Sequence, residues 1–311
     1  MTKLKTITFL LTAFIFIDSQ AQGRQDAAKV FKSGSSRTKR ETSVEFGPYL
    51  GVINYKGDLT KGFFPAFNET RPTAGIAIKF NLNSDITFKT TALYGRIGGT
   101  DQNYSDDPFR SRRNLSFRSN MVEVSGQFEY NIGGFHQTNS LFSSCPYLFL
   151  GVSFFRHNPQ AYFAYNPAIH DPSLERFNDQ WINLQPLATE GQEATKFNDR
   201  KRYSLAQLSI PFGVGFKQAL SEQWGWAIEI GARKTFTDYL DDVSTDYVND
   251  QIVGGQSTSL AVALKDRAPE VNKIKFEPGE LRGNSKTKDW YFIAGVTFTY
   301  RIISTSGCFH F

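Results

Sequence analysis

Between Trp224 and Phe236, apolar and polar positions alternate with a period of two. Trp224, Trp226, Ile228, Ile230, Ala232, Lys234 and Phe236 share one face; Gly225, Ala227, Glu229, Gly231, Arg233 and Thr235 share the other. That period belongs to a strand, not a helix. The first face is apolar with aromatics near its ends, while the second mixes small residues with a Glu and an Arg. A soluble sheet would bury the apolar face beneath a second layer. A transmembrane barrel turns it to lipid and keeps the small, charged face in its lumen.

Strand-like segments also cover 44–55, 73–82, 86–97, 120–132, 146–156, 205–220 and 289–302. In 120–132, Val122, Val124, Phe128, Tyr130 and Ile132 alternate with Glu123, Ser125, Gln127, Glu129 and Asn131. The segment 146–156 is apolar on both faces and ambiguous by periodicity alone. Segments of about 10–15 residues suffice to cross a bilayer at a ~45° tilt. The connections decide the class. Those at 83–85, 133–145 and 221–223 are short or fairly short, and those at 56–72, 98–119, 157–204 and 237–288 are longer. This alternation is that of periplasmic turns and extracellular loops, and an even strand count leaves both termini in the periplasm. The expected fold is all-β: an eight-stranded antiparallel transmembrane outer-membrane β-barrel over 44–302, with long extracellular loops and short periplasmic turns.

At eight strands the interior is filled by side chains and is not an open pore. The inward set Lys79, Lys89, Glu123, Glu129, Lys217, Glu229, Arg233 and Arg301 mixes both signs. A lumen network of mutually satisfied charges is expected, because an unpaired charge in a narrow interior is costly. A proton or ion path is the sharper alternative.

The N-terminus fits export to that location. Lys3 and Lys5, the apolar run Ile7–Ile17 and the small-x-small site Ser19-Gln20-Ala21 make residues 1–21 a cleavable signal peptide. The apolar run is too short to span a membrane, and no Cys follows it to take a lipid. Residues 22–43 form a polar, flexible periplasmic lead-in with a basic run at 37–40, and 303–311 form a C-terminal tail. The mean hydropathy of −0.37 looks soluble, yet barrels escape that test because only alternate residues are apolar. The 25 glycines suit a tightly closed sheet. The net charge of +5 is modest and its basic residues are scattered, so nucleic acid is not an expected partner. Cys145 and Cys308 are too few for a structural zinc site, and remain either two thiols or one bridge permitted by an oxidising envelope.

Little here reads as catalysis. His136, His157, His170 and His310 show no metal-ligand spacing, and no nucleophile elbow or phosphate loop occurs. His157, Asp171 and Ser173 share one long loop, so a lipid-modifying, acyltransferase- or esterase-like site is conceivable. Polar loop residues are more often simply solvated, so neither an enzyme nor a cofactor is expected. Two charged clusters stand out in the outer loops. Arg110, Arg112, Arg113 and Arg118 could meet lipopolysaccharide phosphates. Asp238, Asp241, Asp242, Asp246 and Asp250 could meet Ca²⁺ but do not match the EF-hand loop. The plainer reading is that the two clusters pair with each other or with water. The third and fourth outer loops, about 48 and 52 residues long, are either functional or disordered. Within the third, Trp181–Leu187 is too apolar to float free, and is expected to fold over the mouth or dock a partner.

Several stretches together resemble the PorG-like outer-membrane barrel family of the Bacteroidota. They are Gly51–Leu59 (GVINYKGDL), Asn114–Asn120, Pro146–Ala161, Trp181–Gln192 (WINLQPLATEGQ), Leu208–Lys217 and Glu229–Ser244 (EIGARKTFTDYLDDVS). The resemblance runs from about Glu45 to Arg301; the basic run 37–40 and the tail Ile303–Phe311 lie outside it. It implies a barrel associated with a periplasmic lipoprotein ring of the type IX protein secretion system, and it nominates no catalytic residues. The leading expectation is a non-enzymatic outer-membrane barrel that anchors or positions that system. Its partners would be outer-membrane lipid, lipopolysaccharide and a periplasmic lipoprotein. The alternatives are a surface receptor or adhesin acting through the long loops and, third, a lipid-modifying enzyme.

Overall fold

The computed structural model describes residues 43–62, 67–135, 143–192, 194, 196–197, 200–253, 258–271 and 274–302. The expected signal segment 1–21, the basic run 37–40, His136, His310, Cys308 and the tail 303–311 lie outside the described residues. Ten strands follow in order: β1 (Ser43–Lys56), β2 (Arg71–Asn81), β3 (Ile86–Thr100), β4 (Ser116–Asn131), β5 (Ser144–Arg156), β6 (Pro159–Phe163), β7 (Gln180–Asn183), β8 (Ala206–Ala219), β9 (Trp224–Thr235) and β10 (Trp290–Ile302). All except β6 and β7 form the barrel, in the order β3-β2-β1-β10-β9-β8-β5-β4, and a β3–β4 pairing closes it. Every pairing is antiparallel, including the seam where β1 meets β10 from Val44↔Ile302 to Lys56↔Trp290. The fold is therefore a closed eight-stranded antiparallel β-barrel of the outer-membrane kind.

The period-two pattern sorts residues as the two-sided wall requires. On β9, Ile228 and Ile230 are exposed while Glu229 and Arg233 are buried. Val122, Val124 and Phe128 on β4, and Leu148, Leu150 and Phe154 on β5, continue the apolar exterior around the barrel. In water such a belt would be a large exposed apolar patch; in a bilayer it is the solvated face. The ambiguity of β5 has a steric cause. Its inward positions carry Tyr147, Phe149 and Phe155, whose rings fill the lumen and leave both faces apolar. The neighbouring strands β8 and β9 make room with glycine, since a Cβ on Gly231 would lie 2.5 Å from Phe149 Cζ, and one on Gly213 2.6 Å.

The β3–β4 ladder runs past the expected ends, from Ile86↔Tyr130 to Thr100↔Ser116. Its extension buries Ile97 and Phe117 in an apolar plug with Tyr55, Leu59, Leu240 and Ile293. Here the long loops begin, and this end is termed the outer end. Helix α1 (Pro108–Arg113) starts where Asp107 accepts from the Phe109 and Arg110 amides, with Pro at its first turn, and stops at Asn114, which has φ 53°. Beyond it, the β6–β7 hairpin and helix α2 (Thr258–Lys265) pack into a second apolar core. Phe163, Leu174, Leu184, Leu187, Val248 and Leu260 are among its members. The third and fourth loops are thus folded into a cap, which periodicity could not reveal because their elements are only four to eight residues long.

Candidate functional site

Two polar systems occupy the axis of the barrel. Inside the lumen, buried Lys79, Lys89, Lys217 and Arg233 are matched by buried Glu45, Glu123, Glu129 and Glu229. Alternate residues of six strands supply these groups, so the wall itself sets their spacing. Glu129 holds three lysines, with Lys217 at 2.6 Å, Lys89 at 3.4 Å and Lys79 at 3.5 Å. Lys89 bridges on to Glu229 at 2.5 Å, and Glu229 also accepts from Tyr147 Oη at 2.9 Å. Toward the outer end Arg233 faces Glu123 at 3.7 Å, and Glu123 accepts from Tyr291 Oη at 2.6 Å. Four cations against four carboxylates leave the described lumen core neutral, the condition for so many charges in a low-dielectric space. Rings of Tyr147 and Phe149 fill the gaps, with Lys89 Nζ 4.8 Å from the Phe149 centroid.

The expected lumen charges come together, and Glu45 joins them. It accepts from Asn81 Nδ2 at 2.5 Å and Thr299 Oγ1 at 2.8 Å. Its inward parity on β1 was the available signal. Arg301 lies only half-buried at the inner rim, opposite Glu45 across the seam. Cys145 is buried at the same end, with Sγ 3.0 Å from the Pro146 carbonyl oxygen; its proposed partner, Cys308, lies outside the described residues.

The second system seals the outer mouth. Glu190, fully buried, accepts from the Ser244 amide at 2.9 Å, Thr245 Oγ1 at 2.8 Å and Tyr239 Oη at 3.1 Å, and pairs with Arg282 at 2.9 Å. Arg282 also donates to the Asp242 carbonyl at 2.5 Å and the Lys265 carbonyl at 3.1 Å. Arg113 binds Asp101 through two nitrogens at 2.7 and 2.8 Å and donates to the Arg282 and Asp58 carbonyls at 2.6 and 2.9 Å. These contacts tie the first, second, third and fourth outer loops into one piece.

Each candidate calcium aspartate has its own protein partners. Asp241 accepts from Tyr55 Oη at 2.5 Å and from the Val243 amide at 3.0 Å. Asp242 accepts from Thr189 Oγ1 at 2.5 Å and Tyr203 Oη at 2.6 Å, while Asp238 takes Ser244 Oγ at 2.6 Å. Asp246 pairs with Arg200, and Asp250 with Lys265 at 2.7 Å and Lys275 at 2.9 Å. Among the described residues no group of three or more His, Cys, Asp or Glu has metal-holding geometry. Burial pushes the Asp242 and Asp238 carboxyls up to about 6 and holds Asp241 well above the ordinary carboxylate range.

The arginine cluster does not pair with these aspartates. Arg110 donates to the Asp58 and Thr60 carbonyls at 2.7 and 3.0 Å, and Arg112 pairs with Glu280 at 3.4 Å over the Phe276 ring. Only Arg118 lies on the barrel exterior, stacked 3.7 Å from the Trp181 ring centroid. Within Trp181–Leu187 the roles divide, since Trp181 stays exposed while Leu184 and Leu187 enter the second core. His157 is fully buried at the mouth, where burial lowers it to about 4, whereas Asp171 and Ser173 lie on the surface. Asp171 there accepts from the Ser173 amide at 2.8 Å; the three do not form a triad.

Asp101, Glu190 and Arg282 are the residues that sequence reasoning missed. For Glu190 a signal existed, because it sits inside Trp181–Gln192. That stretch, Gly51–Leu59 and Glu229–Ser244 meet here through Tyr55, Thr189, Glu190, Asp241 and Asp242. Asp101 and Arg282 carried none.

A family model described as a domain of unknown function (DUF6089) matches residues 29–176. No curated protein sequence matches the chain. Among solved structures, the chain is similar to the outer membrane protein OprG of Pseudomonas aeruginosa, with 8% identity and a TM-score of 0.40 over 85% of this chain and 98% of that one. It is similar to Ail, the attachment invasion locus protein of Yersinia pestis, with 9% identity and a TM-score of 0.37 over 85% and 100%. For Neisserial surface protein A the values are 8% and 0.36, over 85% and 97%.

Proposed function

We propose that this chain is a non-enzymatic, non-conducting barrel of the bacterial outer membrane that anchors or positions a partner assembly. The carrying observation is the double closure: the lumen is filled by its neutral Lys–Glu network, and the mouth is sealed around Glu190 and Arg113. A barrel whose axis is occupied in this way by side chains has its outer surfaces left to work with. The resemblance to PorG-like barrels directs the reading toward the type IX protein secretion system, through periplasmic contacts with a lipoprotein. The test is crosslinking in intact cells from sites in the turns around Gly133 and Glu222, followed by mass spectrometry of the captured partner. A periplasmic lipoprotein crosslinked at those turns is the expected result. Crosslinks confined to the outer cap would overturn it.

One observation favours a second reading, recognition at the cell surface. The cap has a core of its own, including Phe163, Leu184 and Leu260, more structure than a seal needs. This reading expects loss of function on shortening 237–288 while changes at the short turns are silent.

A further inference from the structure

Outside the barrel, three arginines on adjacent strands share one patch of wall near the outer end. Arg96 lies on β3, Arg118 on β4 and Arg156 on β5. The register places Arg96 opposite Asn120, Arg118 opposite Gln160 of β6, and Arg156 opposite Val122. These offsets put Arg96 diagonal to Arg118 across the β3–β4 ladder, two residues apart, within reach of long side chains, and Arg156 on the next strand, two residues from the level of Arg96 and four from Arg118, on the same strip of wall. Among the described residues none of the three has a carboxylate within ion-pair distance. The one charged neighbour acting on Arg118 is another cation, Arg96. Unlike Arg110, Arg112 and Arg113, these arginines are left uncompensated.

Two of them are already held in place. Arg96 donates through Nε to Asn120 Oδ1 at 2.8 Å, and Arg118 through Nε to Gln160 Oε1 at 3.1 Å. Arg118 is further fixed by its stack on Trp181. In both, the hydrogen bond uses Nε, so the paired terminal nitrogens are uncommitted among the described residues. That is the edge a guanidinium offers to a phosphate.

Exposed Tyr94 and Val122 lie level with Arg156 and on the membrane side of Arg96 and Arg118, and exposed Val124 and Phe154 lie two residues further in. Acyl chains can lie along these residues while a headgroup rests at the arginines. A cation trio at the upper edge of an apolar belt matches a ligand that carries phosphate and acyl chains in one molecule. We infer that Arg96, Arg118 and Arg156 bind the phosphate of a phosphorylated glycolipid of the outer leaflet, with Trp181 as the upper wall of the site. The site is independent of the anchoring role.

The test is native mass spectrometry of the full chain, extracted in detergent and titrated with bisphosphorylated lipid A, its dephosphorylated form, or inorganic phosphate. Wild type should retain the bisphosphorylated lipid. The triple variant R96Q/R118Q/R156Q should lose about 100-fold in affinity, at about fivefold per arginine. A heat-modifiable gel shift checks that each variant is a folded barrel; should the triple variant not fold, R96Q and R118Q singly give the same reading. Equal retention by wild type and a folded variant overturns the site, as does equal retention of the dephosphorylated lipid. Displacement by millimolar inorganic phosphate would also overturn it, since a free anion would then be the ligand.

Discussion

Replacing Arg113 by Met keeps an apolar stem and removes the guanidinium. Four hydrogen bonds disappear, two to Asp101 and one each to the Arg282 and Asp58 carbonyls. Asp101, fully buried, would keep the Leu115 amide at 3.0 Å and a distant Arg110 at 3.5 Å. A buried carboxylate stripped of its partner costs about 3–5 kcal/mol. All four bonds lie in the loops, so the cost falls on the cap, which should open locally while the wall persists. Because each 1.4 kcal/mol is tenfold, the open fraction should rise by roughly two to three and a half decades. Limited proteolysis of the cap in detergent reads that fraction when opening is fast relative to cleavage. The double variant D101N/R113M removes the uncompensated charge as well, and should recover most of the protection. A single variant cleaved less than about fivefold faster, or a double variant no better protected, would refute the assignment of Arg113 as the clasp.

Glu129→Gln removes a carboxylate shared by three lysines, and of these only Lys89 keeps an ion pair, to Glu229, among the described residues; the barrel should lose about 3–5 kcal/mol, read as a lower urea midpoint, and an unchanged midpoint would mean that water satisfies the lysines. Gly231→Ala places a Cβ 2.5 Å from the Phe149 ring and should cost about 1–3 kcal/mol by overpacking; Gly231→Ala with Phe149→Leu should regain part of it in the same assay. The pH response of the cap is a balance. Asp242, raised from 3.8 to about 6, binds more protons folded than unfolded across that window, so its contribution grows as pH falls. His157, lowered from 6.5 to about 4, does the reverse. In His157→Gln the opposing contribution is gone, and cap protection, normalised to a denatured control, should rise from pH 7 to pH 5. A fall over that range would contradict the burial of Asp242.

The barrel was legible because each wall strand repeats one rule many times. Val122 through Ile132 alternate for a dozen residues, and short and long connections alternate around the ring. The same rule located Glu129, Glu229, Lys217 and Arg233 on the inner face before any partner was known. Their pairing was not legible, since Glu129 and Lys217 are 88 residues apart and meet only after closure. The cap was opaque for a related reason. Asp101 and Arg282 are single polar residues in irregular chain whose burial comes from tertiary contact alone. The aspartates misled most, because carboxylates close in sequence invite a shared ligand. Asp241 and Asp242 instead point to Tyr55, at the outer end of β1, and Tyr203, in the third loop.

The seam between β1 and β10 carries a consequence for tethering. Val44 and Ile302 sit side by side at the end bearing the short turns. The first and last described residues, Ser43 and Ile302, therefore lie at one point of the wall, although they are separated by the whole length of the barrel in sequence. A periplasmic partner that gripped both would hold the second at a high effective concentration once the first was bound. Such a two-point grip at the wall resists being pulled away far better than either contact alone. It would also load the seam itself, in shear along its hydrogen-bond ladder, whenever that partner is under tension.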